Sequence, residues 1–264
     1  LPIMNVGKTE NHGYEIQLKW NDKIGDEFRY WANFNLSFAR NKIVYMNEVK
    51  QNEEWMYETG RTIGSRSIYK FWGFYDETAD ARYRSEFGIP IADHGLTLKP
   101  GDAVFVDLNK DGVIDGDDAS RDLSFTDTPE YTAGLNIGFS WKGWDVTAQF
   151  TGAWNVDRLL SEFRQPLGDT QNKGLLLYQY ENTWRSSEDT YTAKFPRISA
   201  TAQANNYRQC DLYLCNASYL RLKSLEVGYN FDMPFMKKIG MNQFRLYASA
   251  YNLFTISSFM WGDP

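Results

Sequence analysis

The strictest alternation of apolar and polar residues runs from Tyr131 to Trp154, and its single break is Lys142-Gly143. On each side of the break every second residue belongs to one mainly apolar series, and the residues between are small or polar. The first series is Tyr131, Ala133, Leu135, Ile137, Phe139 and Trp141, and the second is Trp144, Val146, Ala148, Phe150, Gly152 and Trp154. A period of two predicts β-strands, and a two-residue turn that contains glycine predicts a hairpin.

Aromatic residues mark both ends of the apolar face in each of these strands, ten positions apart. At about 3.3 Å per residue, this spacing covers roughly 33 Å along a strand. A tilt of about 45° reduces it to roughly 23 Å, close to the ~25 Å apolar band that aromatic girdles flank in outer-membrane barrels. The hairpin is therefore predicted to be long enough to cross a membrane.

Two further hairpins are predicted, one near each end of the chain. Residues 13–20 and 28–38 alternate on either side of a polar turn over 21–27. Later, Leu225, Val227, Tyr229 and Phe231 share one face and precede a turn over 232–243 and a last strand over 244–254.

The strand before the last turn contains a change of phase. Leu220 and Leu222 alternate in step with each other but out of step with the apolar residues that begin at Leu225. An extra residue in one strand of an antiparallel pair produces such a change. The sequence therefore predicts a β-bulge near Lys223-Ser224.

Long polar segments separate the three hairpins. Residues 39–130 and 155–218 lack sustained alternation, although the first contains a part, residues 61–90, that is predicted to hold small strands or one helical turn. Short turns at one end of a sheet and long loops at the other are typical of bacterial outer-membrane barrels. Six strands do not close such a barrel, since the smallest have about eight.

The fold class predicted from this pattern is all-β, a partial antiparallel transmembrane β-barrel with long extracellular loops. A soluble antiparallel sandwich, with one buried and one solvated face per strand, is the alternative. Strand length favours the barrel, because the usual strand has about five to six residues. The chain shows no signal peptide and stops in a turn-like sequence, so we expect it to be an internal portion of a longer protein.

The composition narrows the class of protein further. The chain has 264 residues, of which 16% are aromatic, and a formal net charge of −6. No run approaches about 18 consecutive apolar residues, so no transmembrane helix is predicted. Mild acidity without a Lys/Arg-rich stripe argues against nucleic-acid binding.

An acidic run, DLNKDGVIDGDD, occupies residues 107–118. With the first aspartate as position one, oxygen ligands fall at positions that match the spacing of an EF-hand loop, and Gly112 lies at the sharp turn. The predicted ligands are Asp107, Asn109, Asp111, the Val113 carbonyl, Asp115 and Asp118. An EF-hand has glutamate at the last position. The run thus predicts a calcium-type site that stiffens the long loop; an acidic surface loop without metal is the alternative.

The sequence gives weaker signals for other binding, redox or catalytic sites. Cys210 and Cys215 form either a local disulfide or two free thiols, and spacing alone leaves both open. The two histidines, His12 and His94, are far apart and are interpreted as ordinary polar residues. We find no nucleophile elbow, phosphate loop or histidine triad, so the sequence does not predict an enzyme. The aromatic residues of the long segments either pack the loops together or stack on a sugar or peptide.

Several runs together resemble the C-terminal barrel portion of the SusC/RagA family of TonB-dependent outer-membrane transporters from Bacteroidetes. They occur in the family's order and span nearly the whole chain. The runs are NVGKTENHGYEIQLKW, LKPGDAVFVDLNKDGVIDGDD, PEYTAGLNIGFSWKGWDVTAQFTGAW, AKFPR, ASYLRLKSLEVGYNF and FRLYASAYNLFTIS. The run that begins LKPGD and the run YLRLKSLEVGY are the most specific.

This resemblance implies a 22-stranded barrel closed by an N-terminal plug, which imports oligosaccharides or oligopeptides with energy from the TonB complex. A SusD-like surface lipoprotein would cover the extracellular side, and outer-membrane lipid of a Gram-negative cell would surround the barrel. Residues 1–264 would then supply late strands, without the plug or the final strand. The barrel interior would be lined by Glu15, Lys19, Arg29, Asn136, Gln149 and Arg245. Substrate-binding residues are not predicted. The alternative function is an extracellular, calcium-stabilised β-domain that binds carbohydrate.

Overall fold

A computed structural model describes residues 7–160, 174–199, 203–232, 240 and 243–264. In chain order its strands are β1 (Gly7–Ile24), β2 (Phe28–Met46), β3 (Ile68–Tyr69), β4 (Phe71–Phe74), β5 (Ala103–Phe105), β6 (Ala119–Ser120), β7 (Tyr131–Trp141), β8 (Trp144–Trp154), β9 (Asp157–Leu159), β10 (Leu214–Asn216), β11 (Tyr219–Phe231) and β12 (Phe244–Ser257). The helices are α1 (Ala79–Phe87) and α2 (Leu177–Glu181).

The chain divides into two compact units. The first, here called the loop unit, comprises Leu1–Glu10, Asn41–Thr126 and Arg158–Cys215. The second, here called the sheet unit, comprises Asn11–Arg40, Asp127–Asp157 and Asn216–Pro264. Each is described by itself below.

A single antiparallel sheet of six strands dominates the sheet unit, in the order β1-β2-β7-β8-β11-β12. These strands are the ones that alternation predicted, and the all-β fold class is confirmed. The sheet is open rather than closed, as expected for part of a barrel. Its apolar face stays solvent-exposed in places that a sandwich would bury, with Ile137 37% and Leu246 63% exposed.

The central hairpin matches its prediction residue for residue. β7 pairs with β8 from Tyr131–Trp154 at one end to Trp141–Trp144 at the other. Lys142 and Gly143 both have positive φ, at 46° and 88°. Glycine adopts this backbone without steric cost, which explains why the second turn position carries no side chain.

The first hairpin is longer than its prediction. β1 and β2 contain 18 and 19 residues, and the turn between them covers only 25–27. The predicted turn over 21–27 was wrong at its start, because the polar residues there continue the strand. A backbone ladder forms with any residue except proline, so loss of alternation does not by itself end a strand.

The predicted bulge is confirmed. The register of β11 shifts between Leu222 and Ser224 against both neighbouring strands. As a result, Leu222 lies opposite Phe150 while Ser224 lies opposite Gln149. The extra residue, Lys223, thus returns the earlier leucines to the apolar face. Most of the predicted turn over 232–243 lies outside the described residues.

Strand register aligns the aromatic ends of the strands in two rows. In the first row Phe38 lies opposite Tyr131, which lies opposite Trp154. The Phe38 ring is 4.6 Å from the Tyr131 ring and 5.3 Å from the Tyr14 ring. The second row runs across the other end of the strands. It contains Phe28, Trp141, Trp144 and Tyr229 as successive register partners.

A separate hydrophobic core holds the loop unit together. The core residues are at most 1% exposed, and they are Ile68, Phe74, Ala79, Tyr83, Ala103, Val104, Phe105, Cys210 and Tyr213. Short antiparallel pairs, β3 with β6 and β4 with β5, frame this core. The segment that lacked alternation is therefore a packed structure built on α1 and short strands.

Cys210 and Cys215 are not joined in a disulfide; the first is buried and the second partly buried. Within the described ranges, no helix is long and apolar enough to span a membrane.

Candidate functional site

The acidic run at 107–118 forms a loop in the loop unit. It follows β5 closely, and the Tyr83 hydroxyl of α1 accepts a hydrogen bond from the Asp107 backbone N–H at 3.0 Å. The far side of the loop is held by Asp93, whose N–H donates to the Gly112 carbonyl and whose carbonyl accepts from the Ile114 N–H. Gly112 has a φ of 90°, so the chain turns sharply where the run places its glycine.

The oxygens of the predicted ligand side chains accept hydrogen bonds from the loop's own backbone. Asp107 accepts from the N–H groups of Lys110 at 2.6 Å and Gly112 at 2.9 Å. Asn109, Asp111 and Asp115 each accept from the residue two positions later, at 2.9 to 3.0 Å. This local pattern, in which an Asp or Asn side chain caps the backbone ahead of it, is how the sequence fixes the loop.

Two of the carboxylates are buried together, Asp107 at 3% exposure and Asp118 at 0%. Burial raises the pKa of Asp118, and the charge of Asp107 raises it further, while backbone hydrogen bonds from Asp115, Leu108 and Asn109 oppose the shift. Neither carboxylate has a salt-bridge partner among the described residues. Buried charges are normally paired or bound to a metal, so this pair fits a hard cation with oxygen ligands.

The remaining predicted ligands lie nearer solvent. Asp111 and Asp115 are exposed, Asn109 is partly buried, and the Val113 side chain is 44% exposed. Over the part of the chain that the structure describes, no three His, Cys, Asp or Glu side chains converge into a group able to hold a metal ion. The structure thus buries Asp107 and Asp118 and leaves Asp111 and Asp115 near solvent.

His94, interpreted from the sequence as an ordinary polar residue, is a buried structural link. Its Nε2 accepts a hydrogen bond from the Phe105 N–H at 3.1 Å, so its proton lies on Nδ1, which is 2.8 Å from the Ala92 carbonyl. Burial lowers the pKa of His94, and the charge of Arg208 lowers it further; the Ala92 hydrogen bond and the charges of Asp93 and Asp102 oppose this. No sequence signal distinguishes such a histidine, because its second partner, Phe105, lies on β5 and is brought close only by the fold.

Polar residues cover the face of the sheet opposite the aromatic rows. Asn33, Asn136 and Gln149 are successive register partners on β2, β7 and β8, and Gln149 continues to Ser224 on β11. Three of the predicted lining residues, Asn136, Gln149 and Arg245, therefore lie in strands whose polar positions line up across the sheet.

Arg245 ties three strands together on this polar face. Its Nε lies 3.1 Å from Asp145 on β8, and its Nη2 lies 2.6 Å from Glu226 on β11. A Cβ on Gly228 would come within 2.4 Å of the guanidinium, so the glycine leaves the space that Arg245 occupies. Around Arg245 the polar face is thus held together by ion pairs that join neighbouring strands.

Known proteins resemble this chain in sequence, although no protein-family model matches it. The TonB-dependent receptor P3 of Formosa agariphila is 26% identical over 274 residues, which cover 99% of this chain and 26% of the receptor. The TonB-dependent receptor SusC of Bacteroides thetaiotaomicron is 22% identical over 98% of this chain and 24% of the receptor. The chain spans about a quarter of the length of these curated relatives.

Solved structures show the same fold. The structure of the RagAB peptide transporter matches 96% of this chain and 26% of that chain, with a TM-score of 0.68 and 21% sequence identity. The RagAB peptide importer in its closed-closed state matches 97% of this chain with a TM-score of 0.65. The match to a quarter of a larger chain agrees with an open sheet of six strands.

Proposed function

We propose that this chain, which is similar in sequence to TonB-dependent receptors that include SusC, forms a section of the wall and surface loops of an outer-membrane importer. The complete protein would carry oligosaccharides or oligopeptides across the outer membrane of a Gram-negative cell. Passage would involve no covalent chemistry, since the relatives are named as receptors and transporters.

The pair of aromatic rows is the observation that carries this proposal. Ten residues separate Tyr131 from Trp141 along β7, and the apolar face between them stays partly exposed. Aromatic side chains prefer the boundary between an apolar and a wet environment, so two rows at this spacing fit the two surfaces of a bilayer. The opposite face, with Asn136, Gln149 and Arg245, would line a hydrated interior.

The proposed partners follow from the same relatives. RagAB is a peptide transporter, and SusC is a TonB-dependent receptor. We therefore expect a SusD-like surface lipoprotein over the loop unit and the TonB complex on the periplasmic side of the complete protein. The TonB-contacting region would belong to another part of that protein.

Cysteine labelling in intact cells tests the proposed topology. In the full-length protein with Cys210 and Cys215 changed to serine, we expect a membrane-impermeant maleimide to label Glu188→Cys in the loop unit. Asp26→Cys, in the turn between β1 and β2, should be labelled only after the outer membrane is permeabilised. Labelling of Asp26→Cys in intact cells would contradict the proposal.

We also propose that the loop at 107–118 binds calcium, which would neutralise the buried carboxylates of Asp107 and Asp118. Support comes from the oxygen-only donor set, the burial of these two side chains and their lack of a cationic partner among the described residues. Calcium would supply charge neutralisation and stiffening there, and it would not take part in transport chemistry.

Removal of one predicted ligand tests the calcium site. For the full-length protein in detergent, calcium is expected to raise the melting temperature, and Asp111→Ala is expected to abolish that rise and loosen the 102–122 segment. Glu181→Ala, which removes an exposed carboxylate elsewhere in the loop unit, should keep the rise. An unchanged melting temperature of the wild type with and without calcium would end the calcium proposal.

A further inference from the structure

The loop unit contains an open cavity of about 380 Å³. Three separate segments form it, and its lining residues are Asp76, Glu77, Thr78, Pro100, Trp184, Ser187 and Tyr191. Its volume lies within the range of small-ligand pockets, which combine apolar and aromatic surface with a few polar groups. None of these residues belongs to the acidic loop at 107–118 or to the polar face of the sheet.

Trp184 is held rigidly in the wall of this cavity. Its ring packs on Gly101, where an added Cβ would come within 2.3 Å of the indole. Its Nε1 donates to the Thr190 hydroxyl at 3.3 Å, and that hydroxyl donates to Asp76 at 2.9 Å. Backbone hydrogen bonds from Trp184 to Phe195 and from Arg197 to Gly101 join the segments. The indole is therefore preorganised before any ligand arrives.

Tyr191 supplies a second aromatic surface, and it is 82% exposed. Arg82 supports it, with its guanidinium 5.5 Å from the Tyr191 ring and 5.0 Å from the Trp72 ring. Arg82 is also paired with Asp76 at 3.0 Å, so its charge is balanced. The Tyr191 ring thus presents most of its surface to solvent beside the cavity, where an aromatic side chain can contact a ligand.

The polar groups of the cavity differ in how many hydrogen bonds they already make within the protein. Asp76 is 7% exposed and accepts hydrogen bonds from Thr78, Arg82 and Thr190, so its oxygens are occupied by the protein. Glu77 is exposed, and its carboxylate has no partner among the described residues. Glu77 is thus the acceptor that remains available to a ligand.

We infer that this cavity is a binding subsite for a neutral saccharide unit. A sugar ring carries hydroxyl groups on its edge and C–H groups on its faces, which match the free Glu77 carboxylate beside the exposed Tyr191 ring; Trp184, which is 8% exposed, closes the wall of the cavity. The Glu77 charge disfavours sulfated or uronic sugars. Arg82 already lies over the Tyr191 ring, so a basic peptide side chain would not find that cation–π position free. This inference rests on the proposed import function and narrows its cargo.

Direct binding tests the subsite in the full-length protein in detergent. The probes are neutral hexasaccharides of glucose, galactose, mannose and xylose, with a hexauronate and a lysine-rich hexapeptide for comparison. We expect at least one neutral hexasaccharide to bind. Tyr191→Ala should weaken that binding at least about tenfold, as expected for an aromatic anchor, and Glu77→Gln should weaken it several-fold. Tyr180→Ala removes another exposed tyrosine of the loop unit, 51% exposed and outside the cavity lining, and should leave binding unchanged.

Three results would overturn the inference: no neutral hexasaccharide binds, the hexapeptide or hexauronate binds instead, or Tyr191→Ala and Tyr180→Ala bind alike. The folded state of each variant is checked by its melting temperature, and Tyr191→Phe, which keeps the ring, should retain binding if Tyr191→Ala is poorly folded. Failure of the subsite leaves the labelling pattern of Glu188→Cys and Asp26→Cys intact. Failure of the import function changes that pattern whatever the cavity binds.

Discussion

Ile137→Arg is expected to destabilise the complete protein by about 2–4 kcal/mol in a lipid bilayer, the cost of a cationic side chain at the lipid-facing midplane of a barrel. Ile137 lies in the middle of β7, on the face between the aromatic rows, and is 37% exposed. Because no water reaches that depth outside the barrel, the guanidinium would have to leave the bilayer centre or remain unsolvated. The free energy of unfolding in lipid vesicles, measured by urea titration, gives the value.

Gln149→Arg is the matched control for this substitution. Gln149 lies on β8 opposite Asn136, the residue before Ile137, and its side chain belongs to the polar face. A cation added there should change the free energy of unfolding much less, since that face is expected to be hydrated. Equal losses for Gln149→Arg and Ile137→Arg would mean that the two faces do not differ in environment.

Asp102→Ala is expected to destabilise the loop unit by about 3–5 kcal/mol, the cost of removing one partner of a buried ion pair. Asp102 is 1% exposed, and its Oδ1 lies 2.7 Å from Arg197 and 2.9 Å from Asn206. The substitution would leave the Arg197 guanidinium and the Asn206 amide without an acceptor. Hydrogen exchange of backbone amides in β4 and β5 measures the local loss of stability.

Two other variants serve as comparisons for Asp102→Ala. Asp102→Asn keeps an oxygen acceptor and should cost less than Asp102→Ala. Arg84→Ala removes an ion pair to Asp80 whose side chains are 55% and 50% exposed, and it should cost within about 1 kcal/mol. A loss for Asp102→Ala no larger than that for Arg84→Ala would contradict a central role of the buried pair.

The sheet could be predicted from sequence where side-chain alternation and turn chemistry agree. Both conditions hold at β7 and β8, so the hairpin bounds, its turn and its register follow directly from the residues between Tyr131 and Trp154. The bulge beside Lys223 followed from the same alternation. Leu220 and Leu222 reach the apolar face that begins at Leu225 only if the strand contains one extra residue. The ends of β1 and β2 did not follow, since residues 21–23 of β1 are all polar and residues 43–46 of β2 are all apolar, so neither segment alternates.

The loop unit could not be predicted in the same way, because its structure depends on contacts between distant segments. Asp102 meets Arg197 and Asn206 across about a hundred residues, and nothing local in any of these segments indicates the pairing. His94 is a similar case. Its role as acceptor for Phe105 depends on how β5 packs, whereas its neighbours in sequence are ordinary loop residues.

The acidic loop lies between these two cases. Its internal hydrogen bonds are local and follow from Asp and Asn spacing, as the contacts of Asn109 and Asp111 show. The burial of Asp118 comes instead from the surrounding core, which the spacing does not contain. The spacing of these residues therefore indicated a cation site. The Asp111→Ala measurement tests whether calcium binds there.

We expect one face of the sheet to meet lipid and the other to meet water. Spin labels placed singly along β7 of the complete protein in vesicles test this, with oxygen and a polar nickel complex as relaxation agents. Labels at positions 133, 135, 137 and 139 should be accessible to oxygen, and labels at 132, 134, 136 and 138 should be accessible to the nickel complex or in contact with protein. Protection of both series from oxygen, as in a sheet packed against another protein layer, would contradict it.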